Sequence, residues 1–188
     1  ELRSKTDYFR EKLKNGLTVL MLERHLSPTV SLFIQHRIGA VDEQKGKSGA
    51  AHFLEHMMFK GTTTIGSKDY TAEKTILEDI EKTGSKLGEE KRKGPKADIK
   101  VIEQLSGRLK ELQDSHKKYF IPNEIDRLYT QNGGLDMNAS TGQDLTTYHV
   151  SLPANKMELW ARIESDRLLN PVFREFYTER DVVMEERR

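Results

Sequence analysis

The apolar residues of this chain change their spacing along its length, and that change limits the folds open to it. Residues 8–22, YFREKLKNGLTVLML, read as a β-hairpin. Asn15-Gly16 is the strongest short turn signal, because the tight turn needs positive φ, and Leu17, Val19 and Met21 alternate after it. A second β-rich run follows at residues 29–39, TVSLFIQHRIG, closed by Gly39. From residue 48 to residue 59 the spacing becomes helical, with Ala51, Phe53, Leu54, Met57 and Met58 recurring before Gly61 ends the run. Residues 69–131 continue as amphipathic helices, DYTAEKTILEDIEK and KADIKVIEQLSGRLKELQDSHKKYF. The segment between them contains Pro95, which a helix interior does not tolerate, so the pair reads as a solvated antiparallel helical hairpin.

Pro122 suits the first turn of a short helix over residues 121–129, ending at Gly133-Gly134. Strand spacing then returns at residues 135–140 and 145–152, on either side of TGQD. A helix from residue 155, with Pro171 beyond its end, places Leu159, Ile163 and Leu168 inside, and a last helix starts near residue 177. The expectation is an α+β domain, a mainly antiparallel sheet covered by helices, with a helical hairpin inserted in it. Ending mid-helix on four charged residues, the chain reads as a single domain over 1–188 that is truncated at its C-terminal end, and its start at Glu1 without methionine suggests that the natural N-terminus lies elsewhere.

Composition removes some functions. Lysine and arginine number 31 against 30 acids, a net charge of +1, which argues against a nucleic-acid binder. No apolar stretch approaches the roughly 20 residues that span a bilayer. Cysteine is absent, so a metal would need nitrogen and oxygen ligands; the absence also suits an exported protein of an oxidising compartment, such as the periplasm.

The stretch AHFLEHMMFKG places His52, Glu55 and His56 in an otherwise apolar helix. Positions four apart lie one turn apart on the same face, so the two imidazoles can converge on one ion. Glu55 projects beside them and can take a proton from water that zinc acidifies. The order H-x-x-E-H inverts the commoner H-E-x-x-H. The alternative is a pair of core histidines bonded to backbone, although burying three titratable groups without partners is costly. A third ligand is not local. His25, His36, His116 and His149 have no spacing to recommend them, whereas Glu179 and Glu186, seven apart, share a helical face from which Glu185 points about 100° away. That face could hold a ligand and a partner for a ligating histidine, or be an ordinary charged surface. GGLDMNAS is polar and alternating: either an edge strand with a solvated face, or an open edge to which an extended peptide adds.

Together, HFLEHMMFKGT, ERDVVMEERR, LKNGLTVLMLERHLSPTVSLFIQHRIGAVDE and GGLDMNASTGQDLTTYHVSLPANKMELWARIESDRLLNP resemble the N-terminal domain of the pitrilysin-type (inverzincin) zinc peptidases, and are similar to bacterial relatives of the mitochondrial processing peptidase β-subunit. The resemblance implies one zinc per chain, with His52, His56 and Glu186 as ligands, Glu55 as catalytic base and Glu179 as a glutamate that supports catalysis. It implies that Asn138 and Ala139 contact an extended peptide or unfolded-protein substrate, and that a second homologous domain or subunit completes the enzyme. The expected activity is metalloendopeptidase; the alternative is a non-catalytic assembly subunit of the same fold. Between His56 and Glu186 lie 129 residues, more than the family's usual spacing, and the excess falls at 69–131 as an insertion.

Overall fold

The computed structural model describes residues 8–186. Its strands are β1 (Phe9–Lys12), β2 (Thr18–Met21), β3 (Thr29–His36), β4 (Leu135–Thr141) and β5 (Thr146–Pro153). Its helices are α1 (Ala50–Met57), α2 (Tyr70–Arg92), α3 (Ile99–His116), α4 (Glu124–Gln131), α5 (Met157–Leu169) and α6 (Phe176–Glu186). All strand pairing is antiparallel, so the fold is α+β as the spacing predicts.

β1 and β2 form a two-stranded hairpin in which Gly16 adopts φ 90° and the Leu17 N–H donates to Asn15 Oδ1 at 3.1 Å. Only glycine takes that φ without strain, which is why the turn falls there. The second sheet has the order β3-β5-β4. β5 is central and alternates: Thr146, Tyr148, Val150 and Leu152 are buried on one face. Val150 and Leu152 pack with Leu32 of β3, Ile125 and Tyr129 of α4, and Ile163 of α5 to make the core. Burial of each such aliphatic side chain contributes about 1.5–3 kcal/mol. β4 lies at the edge, and its register shifts between Leu135 and Asn138, where Asp136 takes φ 55°.

Two expectations need correction. The short helix begins at Glu124, not residue 121, and Pro122 precedes it. The chain before it is held extended: Phe120 bridges Ser67, and the Ile121 N–H donates to Gly66 O at 3.0 Å, so the helix starts only after Asn123 turns the backbone at φ 54°. On α5, Leu168 is 44% exposed, while Glu164 and Arg167 are buried with Ile163. A charged pair replaces the expected leucine inside because its partners are in place. Arg167 Nη1 donates to both Glu164 oxygens at 2.8 and 2.7 Å, and the Tyr129 hydroxyl donates to Glu164 at 2.6 Å. The guanidinium also lies 5.0 Å from the Phe59 ring and 4.9 Å from the Tyr148 ring.

α2 and α3 pair as the predicted helical hairpin, with Asp69 and Asp98 capping their N-termini. The base of the hairpin is fixed by a fully buried ion network. Arg174, between α5 and α6, donates from Nε and Nη2 to the two oxygens of Glu73 on α2 at 2.7 and 2.9 Å. His116 of α3 lies 2.6 Å from Glu73 Oε1. Arg174 also donates to the carbonyls of Lys60, Ile65 and Thr62, tying the loop after α1 to the same point. Further along, α2 comes so near α6 that a Cβ on Gly84 would lie 2.0 Å from the Tyr177 ring. α6 is thereby seated against α2 while it also packs on α1. The expected continuation of α6 to Arg188 lies outside the described residues.

Candidate active site

α1 is held at its start by Glu43, whose carboxylate accepts from the Gly49 N–H at 2.7 Å and the Ala51 N–H at 2.9 Å. These are orphan donors of a helix N-terminus, where a negative charge is favourable. The helix therefore presents His52, Glu55 and His56 from a fixed start. His52 Nε2 and His56 Nε2 lie 3.1 Å apart, one turn from each other.

α6 crosses this face of α1. Glu186 Oε2 is 3.6 Å from His52 Nε2 and 3.5 Å from His56 Nε2. Among the described residues, His52, His56 and Glu186 are the group whose ligand atoms converge closely enough to hold an ion. A tetrahedral ion at about 2.0–2.1 Å from each ligand sets those atoms about 3.3–3.4 Å apart. The observed triangle of 3.1, 3.5 and 3.6 Å matches that size, and two imidazoles with one carboxylate suit zinc.

Glu179, seven residues before Glu186 on α6, accepts from His56 Nδ1 at 2.8 Å. A proton on Nδ1 leaves the Nε2 lone pair free toward Glu186 and His52. Glu179 Oε2 in turn meets Lys60 Nζ at 2.6 Å, and Lys60 also reaches Glu175 at 3.2 Å. Burial alone would raise the Glu179 carboxyl, but the hydrogen bonds from Lys60 and His56 outweigh it and hold the group below its ordinary range. Lys60 shows the converse: burial opposes its charge, yet the two glutamates raise it above its ordinary value.

Glu55 is only 7% exposed, and its Oε2 accepts from the hydroxyl of Thr141 at the end of β4. Through Thr141, α1 is joined to the edge strand that carries Asn138 and Ala139. Asn138 is exposed, and its Oδ1 accepts the Ala139 N–H at 2.9 Å. Order β3-β5-β4 leaves the outer edge of β4 open in this sheet.

His52, Glu55, His56, Glu179 and Glu186 are thus gathered at the α1–α6 crossing, with Asn138 and Ala139 on the neighbouring edge strand. Glu43, Lys60 and Thr141 were not signalled by the sequence. Glu43 lies seven residues before α1, outside the reach of a local capping pattern, and no local pattern marks the other two.

The family model for Insulinase (Peptidase family M16) matches residues 18–90, which include β2, β3 and all of α1. An uncharacterised zinc protease of Rickettsia bellii is 41% identical over 69 residues, 37% of this chain and 17% of that protein. The zinc protease PqqE of Helicobacter pylori is 28% identical over 181 residues, 94% of this chain but 28% of that protein. Among solved structures, the first half of the periplasmic protease PqqL from Escherichia coli shares the fold, with a TM-score of 0.60 and 24% identity over 96% of this chain and 29% of that one. The chain spans less than a third of the length of these relatives. The family match falls on the helix that carries His52, Glu55 and His56, two of the similar proteins are named zinc proteases, and over residues 18–90 the chain is similar to the insulinase family, peptidase family M16.

Proposed function

We propose that this chain forms the zinc-binding N-terminal domain of a metalloendopeptidase acting on extended or unfolded peptides, with a helical insertion contained within residues 69–131. Supporting this is the convergence of His52 Nε2, His56 Nε2 and Glu186 Oε2 within 3.1–3.6 Å of one another, beside a carboxylate on the same helix. His52, His56 and Glu186 would hold the zinc, which when bound would supply Lewis acidity to acidify water and polarise a carbonyl. Glu179 fixes the orientation and tautomer of His56. Glu55 is the general base: with Oε2 engaged by Thr141, Oε1 receives the proton of the attacking water and can return it to the leaving amine.

Substrate adds as a strand to the free edge of β4, its backbone aligned by the main chain near Ala139 and by the Asn138 side chain. Proline at Ala139 removes a main-chain donor from that edge. We expect Ala139→Pro to weaken binding of a competing peptide while zinc content is unchanged; equal peptide affinity contradicts strand addition. A second homologous domain or subunit completes the active enzyme, in keeping with the greater length of the relatives. Among the described residues no helix is long and apolar enough to cross a membrane, and the periplasmic setting of one relative supports an exported location.

The test is cleavage of an unfolded protein by the full-length protein. Chelation should abolish it and one equivalent of zinc should restore it. Cleavage unaffected by chelation contradicts the metallopeptidase; tight zinc binding without any cleavage supports the alternative, a non-catalytic subunit.

A further inference from the structure

We propose that Lys60 is a positioning residue for the metal site, acting on His56 through Glu179; this rests on the zinc reading above. Lys60 lies in the turn just past the end of α1, four residues after His56, and its Nζ is 2.6 Å from Glu179 Oε2 on α6. The other oxygen of the same carboxylate takes His56 Nδ1 at 2.8 Å. Glu179 is therefore held at both oxygens. This matters because the terminal torsion of a glutamate is broad, and a carboxylate anchored at one oxygen can rotate away from its partner. With Lys60 on Oε2, Oε1 is aimed at Nδ1, and the His56 ring is held with Nε2 toward Glu186.

Lys60 is itself fixed. Its side chain is 18% exposed and that of Glu179 14%, so solvent does little to screen the pair. Its carbonyl accepts from Arg174 Nη1 at 3.1 Å, which anchors the backbone of the turn. Glu175, in a left-handed conformation at φ 58° just before α6, gives Nζ a second carboxylate at 3.2 Å. Glu175 shares Lys60 with Glu179, and Glu179 is the one of the two that meets His56. That difference separates a positioning role from a simple tie between α1 and α6.

The experiment measures zinc affinity by competition with a chromophoric chelator in the full chain, with the melting temperature of the zinc-free form recorded alongside. Removing groups that orient metal ligands commonly costs about 10–100-fold in affinity, and Lys60→Met, one step further out, should cost about tenfold. In a Glu179→Ala background Lys60→Met should cost nothing more, because its route to the metal is already cut. Glu175→Gln should bind zinc as the wild type does. If Lys60→Met does not fold, Lys60→Gln is read the same way. Undiminished affinity in the Lys60 variant, or the same loss with and without Glu179, overturns the proposal. If the wild type binds no zinc, the zinc reading fails and this role with it. If Glu179→Ala weakens zinc and Lys60→Met does not, only the Lys60 role fails.

Discussion

Glu55→Gln in the full-length enzyme should retain zinc and lose peptide hydrolysis by a factor on the order of 10²–10⁴, the usual contribution of a general base. The substitution keeps the shape of the side chain and an oxygen for the Thr141 hydroxyl, so α1 and the β4 contact should survive. What disappears is the ability to accept a proton, since an amide has no basic oxygen near neutral pH. Zinc content should be unaffected because Glu55 is not among the three converging ligand atoms. Single-turnover cleavage with a zinc-loaded sample separates the two effects. Turnover near the wild-type rate rules out Glu55 as the base.

The second large effect is on stability. Arg174→Leu leaves Glu73 buried without its bidentate partner, and breaking such a pair typically costs 3–5 kcal/mol. The same network makes stability depend on pH. Burial alone would raise the Glu73 carboxyl, but hydrogen bonds from His116 and Arg174 bring it to about 2 from an ordinary 4.5. A carboxyl depressed in the folded state stabilises fully above its unfolded value and loses that contribution as pH falls through the folded one. Wild-type stability from urea unfolding should therefore decline between about pH 4.5 and pH 2. Arg174→Leu should start lower and decline less across that window. A loss below about 1 kcal/mol for Arg174→Leu, within the ordinary range for a point mutation, contradicts a structural role for the network. Because Arg174 also holds the carbonyls of Lys60 and Thr62, its loss should loosen the seat of α6, and with it Glu179 and Glu186.

What the sequence made legible was local. The β1–β2 turn was readable because Asn15-Gly16 carries its own conformational preference. The joint presentation of His52 and His56 was readable because four residues make one helical turn. The edge position of β4 followed from polar alternation in LDMNAS. Long-range charge was not legible. Hydrophobic spacing placed Leu168 inside α5 because it cannot weigh a charged pair whose partners lie elsewhere; Arg167 is buried only because Glu164, Phe59 and Tyr148 receive it. The start of α4 was misplaced for a similar reason, since the contact of Ile121 with Gly66 spans 55 residues. Glu186 beside the histidines could not be chosen over Glu179 from spacing alone; the resemblance supplied that choice. Glu43, Thr141 and Lys60 act through contacts that exist only once α1 has met its neighbours.

Whether His52, His56 and Glu186 hold zinc is tested most directly by elemental analysis of the full chain purified without added metal. The expected result is one zinc per chain, lost from Glu186→Ala and retained by Glu185→Ala, as a three-ligand protein site with an open fourth position requires. Zinc absent from the wild type, or zinc lost from Glu185→Ala and kept by Glu186→Ala, contradicts it.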